Sequence, residues 1–213
     1  MGKPLSRDEI LYLQRTCACS GLYNGPIDGK WSAAVDQAEL ALAAKNEALR
    51  TQIGQFDPRT EQNIATLMPP AQKAARKFMK AAAAFPLTVK IISGSRTYSE
   101  QDALFAIGRT VQTNKKPVTN ARGGESNHNF GVAWDVGIFD GAGKYYTGAT
   151  KAEEKAYVDL GALIKSQVAK LEWGGDWVKF VDRPHYQLGA GGNTIAQVRK
   201  LFEAGQPFFT EVG

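Results

Sequence analysis

Histidine occurs only twice in the chain, at His128 and His185, so any chemistry that depends on an imidazole must use one or both of them. The segment from Phe130 to Ile138 is predicted to be a strand. Its alternation places Asp135 among glycine and alanine on one face, opposite a face of bulky apolar side chains. A metal or substrate pocket requires such an arrangement, with a carboxylate on a face whose other side chains are small. His128 lies just ahead of this strand, so a loop can fold its imidazole back toward Asp135.

The second histidine begins a short predicted strand, His185–Leu188, in which it shares a face with Gln187. Two imidazoles and one carboxylate can hold zinc tetrahedrally and leave a fourth position open for water. Zinc lowers the pKa of such a water from about 15.7 to roughly 7 and polarises a carbonyl, whereas calcium and magnesium prefer oxygen ligands. The spacing by itself leaves two interpretations open: a zinc centre, or two histidines that are hydrogen-bonded for structural reasons.

Other catalytic classes have little support in the sequence. It contains no G-x-S-x-G, H-E-x-x-H or G-x-x-x-x-G-K-[ST] motif. A cysteine protease would need Cys17 or Cys19 to reach a histidine from a separate helical segment, and we expect both cysteines to be small core residues. Side chains two residues apart on a helix point in different directions, so no disulfide framework is expected.

Composition and charge define the general class of the protein. With 43% hydrophobic and 22% charged residues, the 213-residue chain is typical of a soluble globular protein. The net charge of +5 predicts an anionic partner. Because arginine-rich helices and RNP-type aromatic strands are missing, an acidic substrate is favoured over nucleic acid. No stretch approaches the roughly 20 apolar residues of a membrane span, and the polar first residues predict no signal peptide.

Capping residues and periodicity predict the elements that must position these side chains. Helices are expected at 5–20, 33–50, 58–85 with an interruption at Pro69-Pro70, 100–107, 153–171 and 194–204. A further buried strand is expected at Leu87–Ser93. Helices and strands without a βαβ rhythm predict an α+β fold, with a central, mostly antiparallel sheet flanked by helices. We place a domain boundary near residue 52, between a small helical module (1–52) and a catalytic domain (53–213).

Three motifs, in order along the chain, carry a resemblance to a known family. Ser126 to Asp135 matches S-x-H-x-x-G-x-A-x-D, and Trp173-Gly174-Gly175-Asp176-Trp177 and Pro184-His185-Tyr186 follow it. Together they resemble the D-alanyl-D-alanine carboxypeptidase family of zinc peptidases, and within it most of all the L-alanoyl-D-glutamate endopeptidases of bacteriophage lysins. The resemblance extends from about Phe56 through Leu188 and implies a zinc peptidase domain.

The resemblance implies a role for each residue of the zinc site. The implied ligands of one Zn²⁺ per chain are His128, Asp135 and His185. Asp182, three residues before the last ligand, would be the general base that passes a proton to the departing amine. Residues three apart in a regular strand face opposite sides, so this role requires a bend, which Pro184 favours. Without that bend, Glu172 or Asp176 would be the candidate base.

Other residues are implied to contact the substrate. Arg96 would bind the scissile carbonyl or a substrate carboxylate, since a guanidinium suits a developing oxyanion; the alternative is a surface arginine in a turn. The implied substrate-binding residues are Ser126, Trp173 and Trp177. Loop capping is the alternative for the serine, and core packing for the tryptophans. Four basic residues in the long loop 108–127 would either attract an acidic peptide or be solvated: Arg109, Lys115, Lys116 and Arg122.

The first 52 residues more faintly resemble a helical peptidoglycan-binding module. The similarity lies in Leu13-Gln14 and in the loop Gly25-Pro26-Ile27-Asp28-Gly29, although Trp31-Ser32 stands where a further glycine is usual. Exposed Tyr23 and Trp31 are therefore expected to contact glycan. The alternative is a helical segment that only stabilises the protein.

The sequence thus predicts a peptidoglycan hydrolase, an endolysin that cleaves the L-alanyl–D-glutamate bond of stem peptides by zinc-activated water. The alternatives are a D-alanyl-D-alanine carboxypeptidase with the same site and a non-catalytic zinc protein that binds the wall. We expect bacterial peptidoglycan as the partner, no nucleic acid, and a monomer. The basic pI of about 9.1 and the polar start favour a phage lysin that waits in the host cytoplasm for a holin-type pore.

Overall fold

The computed structural model describes residues 4–189 and 191–208 of the chain. The α-helices are α1 Arg7–Cys19, α2 Ala33–Ile53, α3 Pro58–Ala65, α4 Pro69–Ala82, α5 Tyr98–Ala106, α6 Lys151–Gln167 and α7 Ile195–Glu203. The strands are β1 Thr88–Ser93, β2 Ala133–Phe139, β3 Leu171–Trp173 and β4 His185–Leu188. The prediction of an α+β fold is confirmed. None of the described helices is both long and apolar enough to cross a membrane.

The four strands form one antiparallel sheet in the order β1-β2-β4-β3. Strand β2 pairs with β4 so that Asp135 lies opposite His185, and Ala133 opposite Gln187. Strand β3 pairs with the other edge of β4, so that Glu172 lies opposite Gln187 there. The register therefore places polar or small side chains on adjacent positions of one face.

Several predicted element boundaries differ from the structure, and two of these differences lie next to the candidate site residues. The strand expected from Phe130 begins only at Ala133, because a 3₁₀ helix occupies Asn127–Phe130 and Gly131 follows it with a left-handed φ of 73°. The helix expected to reach Leu171 ends at Gln167, and β3 starts at Leu171. Between them Lys170 has a φ of 64°, which a helix cannot contain, so the chain reverses there.

The chain divides into two compact units, each made of several segments. Among the described residues, the first contains 4–44, 95–131 and 191–208, and the second contains 45–94 and 132–189. The division falls within α2. The domain boundary near residue 52 stays a prediction.

A single amide organises the turn-rich loop of the first unit. The side-chain Oε1 of Gln14 accepts hydrogen bonds from the backbone amides of Asp28 (3.1 Å) and Gly29 (2.8 Å). Its Nε2 donates to the Asp28 carboxylate and to the carbonyl of Lys30, both at 3.1 Å. Gln14 is buried in α1, so the loop is held to that helix by hydrogen bonds that water does not compete for.

The two aromatic residues predicted to contact glycan have different environments. Tyr23 is only 8% exposed: it packs with Cys17, Val35, Ala38 and Leu42, and its hydroxyl donates to a backbone carbonyl at 2.8 Å. The expectation that this ring is exposed is wrong, because it closes the small core between α1 and α2. Trp31 is 40% exposed, and its indole N–H donates to Asp36 at 2.7 Å.

The cysteines have the environment of core residues. Cys17 and Cys19 are both buried and neither forms a disulfide. Burial raises the pKa of each thiol to about 12. Because the thiolate is the nucleophile, both side chains are unreactive near neutral pH, which argues against a cysteine protease.

Aromatic side chains form the core of the second unit beneath the sheet. Phe78 of α4 packs edge-on against Tyr186 of β4 (4.6 Å between ring centroids) and against Trp134 of β2 (6.2 Å). Tyr186 also stacks on Trp173 of β3. These rings alternate along the strands with Asp135, His185 and Gln187, so one face of the sheet packs while the other carries polar groups.

A buried ion pair joins the helices of the second unit. The fully buried guanidinium of Arg76 in α4 contacts both carboxylate oxygens of Glu61 in α3 at 2.9 and 2.7 Å. It also donates to the carbonyl of Gly54 and to the side chain of Asn46. Partial burial alone would raise the pKa of Glu61, but hydrogen bonds from Arg76 and from the Phe56 amide lower it.

We expect Glu61→Gln to lower the free energy of unfolding by about 3 kcal/mol at pH 7, because Arg76 is left as a buried charge without its counter-ion. A carboxyl whose pKa is lowered by folding stabilises the protein above its ordinary value of 4.5, and this contribution is lost as the pH falls through the lowered value. The difference between variant and parent should therefore shrink below about pH 4.5. Urea unfolding of variant and parent, at pH 7 and again below about pH 4.5, measures this difference in the free energy of unfolding. Glu47→Gln, at an exposed pair with Arg50, is the matched control; an unchanged difference at low pH would contradict the prediction.

Candidate metal centre

The structure brings together the three residues predicted to be zinc ligands. His128 lies in the 3₁₀ helix, Asp135 in β2, and His185 at the first position of β4. Each offers one ligand atom, and these atoms all lie within 4.8 Å of one another. His128 and His185 are 3% and 6% exposed, and Asp135 is half-buried. Two nitrogens and one carboxylate oxygen, close together and shielded from water, fit the ligand preference and open fourth position of catalytic zinc.

The pKa of His185 shows the local electrostatic balance. Burial alone would lower its pKa, but the hydrogen bond and negative charge of Asp135 raise it, with smaller contributions from Gln187 and Asp182. The ring Nδ1 lies 3.3 Å from Asp135 Oδ1. The surroundings of this imidazole therefore favour positive charge, as expected where a cation binds.

A buried asparagine, which the sequence reasoning missed, supports the loop around His128. The side chain of Asn129 donates to the carbonyls of Arg96 and Thr97 and accepts from the amide of Gly124. The backbone amide of Arg96 in turn donates to the carbonyl of His128 at 3.0 Å. The segment that carries Arg96 is thus bonded directly to the segment that carries the candidate ligand.

The candidate base, Asp182, lies in a turn and not in a strand. The amide of His185 donates to the carbonyl of Asp182 (3.2 Å), and the amide of Asp182 donates to the carbonyl of Gly174 (2.9 Å). Strand β4 begins only at His185, so strand alternation does not constrain Asp182. A side chain at Gly174 would collide with the Asp182 carbonyl, so glycine permits this close approach. The bend that the proton-transfer role requires is present.

The two alternative bases are engaged elsewhere. The carboxylate of Glu172 accepts a hydrogen bond from Gln187 at 2.6 Å. Asp176 forms an exposed ion pair with Lys165 at 2.8 Å. Asp182, by contrast, is close enough to His185 for its charge to raise the pKa of that ring. These contacts favour Asp182 as the base.

The two tryptophans predicted to bind substrate differ in burial. Trp173 is 6% exposed, its indole N–H donates to the carbonyl of Arg183 at 2.8 Å, and its ring stacks on Tyr186. These contacts favour the alternative of core packing for Trp173, and its contact with substrate stays a prediction. Trp177 is half-buried, with its ring centroid 4.9 Å from that of His185. It remains a candidate, and the exposed Val178 and Phe180 follow it.

Arg96 and Ser126 keep their candidate roles. Arg96 is half-buried, and its guanidinium donates to the side chain of Gln101 at 3.2 Å. Gln101 is itself buried and donates to Thr119 and to the carbonyl of Ala121, which limits where the guanidinium can point. Ser126 makes no side-chain capping hydrogen bond to the 3₁₀ helix that follows it.

Two of the four basic loop residues make contacts within the loop region. The guanidinium groups of Arg109 and Arg122 lie 4.0 and 4.4 Å from the ring centroid of Phe105. Arg109 also donates to the carbonyls of Phe105 and Thr119. These contacts order the loop, whereas Lys115 and Lys116 are exposed.

Residues 119–188 match the D-alanyl-D-alanine carboxypeptidase family, a span that contains all three candidate ligands and Asp182. Fold, site and match together define a metallopeptidase, and the chain belongs to this family. The chain is also similar to a characterised peptidase. It is 37% identical over 125 residues to the peptidoglycan L-alanyl-D-glutamate endopeptidase CwlK of Bacillus subtilis, a match that covers 56% of this chain and 72% of the relative.

A solved structure is also similar, that of the L-Ala D-Glu endopeptidase ChiX of Serratia marcescens. The identity is 23% and the TM-score 0.45, over 65% of this chain and 92% of that one. The resemblance stated from the three sequence motifs is confirmed by the family match and by the identity to CwlK.

Proposed function

We propose that this protein is a zinc-dependent peptidoglycan endopeptidase that hydrolyses the amide bond between L-alanine and D-glutamate in stem peptides. The observation that carries the proposal is the convergence of His128, Asp135 and His185 in a chain 37% identical to CwlK, which is named for that activity. The D-glutamate product is acidic, which agrees with the net charge of +5.

Each candidate residue has a place in the proposed reaction. His128, Asp135 and His185 would hold the zinc ion, which when bound supplies a Lewis acid for the amide carbonyl and makes water more acidic. Asp182 accepts the proton of the attacking water and delivers it to the nitrogen of D-glutamate as the amide bond breaks. Arg96 donates hydrogen bonds to the developing oxyanion or to a substrate carboxylate.

Ser126 and Trp177 are proposed to contact the substrate. The Trp177 ring, held against His185, offers an apolar surface for the alanine methyl group or the glutamate methylenes. Ser126 offers a hydroxyl to a peptide carbonyl.

Residues 1–52 are proposed to bind the glycan of the wall. The support is the loop Gly25–Gly29, which hydrogen bonds to Gln14 join to α1, and the exposed Trp31 that follows it. We further propose that the protein is a monomeric phage lysin, admitted to the wall through a holin-type pore. The support for this role is the basic pI of about 9.1 and the resemblance of the motifs to lysins.

Mass spectrometry of purified peptidoglycan digested by the zinc-loaded protein tests the proposal. Stem peptides that begin at D-glutamate, with L-alanine left on the glycan, are the expected products. Loss of a terminal D-alanine alone would instead establish a D-alanyl-D-alanine carboxypeptidase, the second candidate, which the description of the matching family favours. Absence of any product from protein with bound zinc would leave a wall-binding protein.

A further inference from the structure

The two ring nitrogens of His185 have different partners. Nδ1 faces the carboxylate of Asp135, with 3.3 Å between Nδ1 and Oδ1. Nε2 lies 2.9 Å from the side-chain oxygen of Gln187, two residues along the same face of β4. A neutral imidazole carries one proton, so the tautomer decides which nitrogen is free to bind a metal.

The partner of Gln187 decides that tautomer. Its side-chain nitrogen donates to the carboxylate of Glu172 at 2.6 Å. An ionised carboxylate can only accept, so the amide NH₂ must face Glu172 and the amide oxygen must face His185. The amide oxygen also only accepts, so Nε2 of His185 must carry the proton. Nε2 keeps this proton whether the ring is charged or neutral, so a neutral ring carries its lone pair on Nδ1, the nitrogen nearest Asp135.

The sheet is built to hold this arrangement. Glu172 and Ala133 lie opposite Gln187 on the two neighbouring strands, and Asp135 lies opposite His185. Gln187 is itself buried, so its amide has little access to competing water. A Cβ at Gly189 would lie 2.7 Å from the second oxygen of Glu172, and the absence of a side chain there leaves room for the carboxylate.

We propose that Gln187 and Glu172 are positioning residues that fix the tautomer and orientation of His185, so that Nδ1 is the atom presented to the metal. This inference rests on the metal centre of the proposed function. Hydrogen-bond partners of metal-binding histidines typically account for about 10- to 100-fold in metal affinity. The sequence shows neither residue's role, because the pair is 15 positions apart and meets only through the pairing of β3 with β4.

Zinc affinity provides the first test, measured by competition with a chromophoric chelator. We expect Gln187→Met, which fills the same space without an amide acceptor, to bind zinc about 10- to 100-fold more weakly. Glu172→Ala should also weaken binding, because the amide of Gln187 can then turn over and donate to Nε2. The matched control is Glu47→Ala, a carboxylate in an exposed pair with Arg50, which should bind zinc like the parent.

Exchanging the side chains of Glu172 and Gln187 tests whether the lost zinc affinity can be restored. Gln187→Glu alone places two carboxylates side by side and should bind zinc weakly. Combined with Glu172→Gln, it restores both hydrogen bonds: the carboxylate introduced at position 187 accepts from Nε2 of His185, and the amide introduced at position 172 donates to that carboxylate. We expect the double variant to recover zinc affinity to within about threefold of the parent, as the restored orientation of the ring requires. A loss caused only by a damaged fold would show no such recovery.

Long-range ¹H–¹⁵N NMR reads the tautomer itself, and the presence of only two histidines makes the assignment simple. We expect the His185 proton on Nε2 in the parent, with and without zinc, and a mixture in zinc-free Gln187→Met. Parent-like zinc affinity and an unchanged tautomer in Gln187→Met would overturn the inference. If the parent binds zinc and shows this tautomer but releases no wall peptide, the proposed function fails and the inference stands.

Discussion

Asp182→Asn is expected to lower kcat on stem-peptide substrates by about 10²- to 10⁴-fold while zinc content stays at one ion per chain. Asparagine has the shape of aspartate but cannot accept a proton from water. The turn should survive, because its two hydrogen bonds use the backbone of Asp182 and not the side chain. The candidate ligands His128, Asp135 and His185 are unchanged, so this variant separates the effect on proton transfer from the effect on metal binding.

The measurement is the rate of amine release from a peptide containing the L-alanyl–D-glutamate bond, with zinc counted by atomic absorption. Asp159→Asn, on an exposed residue paired with Lys155, is the matched control and should keep the parent's rate. An Asp182→Asn enzyme with a rate close to the parent's would contradict the assignment. Asp176→Asn, and Glu172→Gln compared at equal zinc content, would then show which of the alternative carboxylates serves as base.

Removal of the metal is expected to abolish the activity, and zinc should restore it in the parent but not in Asp135→Ala. A zinc ion held by these residues would supply several kcal/mol of transition-state stabilisation, so we expect a loss of about 10³-fold or more. In Asp135→Ala only two imidazoles remain of the three-ligand set. The negative charge that raises the pKa of His185 is also lost, so the variant should take up little zinc.

The test uses dialysis against a chelator, followed by titration with zinc and assay of peptide release. Circular dichroism of the zinc-free parent and of Asp135→Ala should match the parent with zinc, since β2 and β4 keep their backbone pairing. Full activity of the chelated protein, or recovery of Asp135→Ala on addition of zinc, would show that these residues do not form the catalytic centre.

Local signals predicted the helix starts well. Asp57 caps α3, with Pro58 at its first position, and Ser6 forms a capping box with Glu9 at the start of α1. Such signals are contained within four consecutive residues, so the sequence is sufficient to predict them. The short strand β4 was also predicted with its observed limits, because Pro184 marks its start.

The sequence predicts least well where long-range packing overrides local preference. Trp173 stands beside two glycines, a pattern that suggested the floor of a cleft. The pairing of β3 with β4 instead stacks its ring on Tyr186. Tyr23 lies in a polar loop, and only contacts with α2 enclose it. Asn129 and Gln187 were overlooked as supporting residues because their partners are distant in sequence.

The pairing of β2 with β4 would give a bound metal ion a role in folding as well as in catalysis. Asp135 and His185 share a face only in the observed register, and a slip of one residue would send His185 to the opposite side of the sheet. A misregistered chain would therefore lack a complete ligand set. Because an ion that binds only the native state stabilises that state by mass action, zinc would select correctly paired molecules from a mixture during folding. Zinc uptake by a preparation then counts the chains whose strands are correctly aligned.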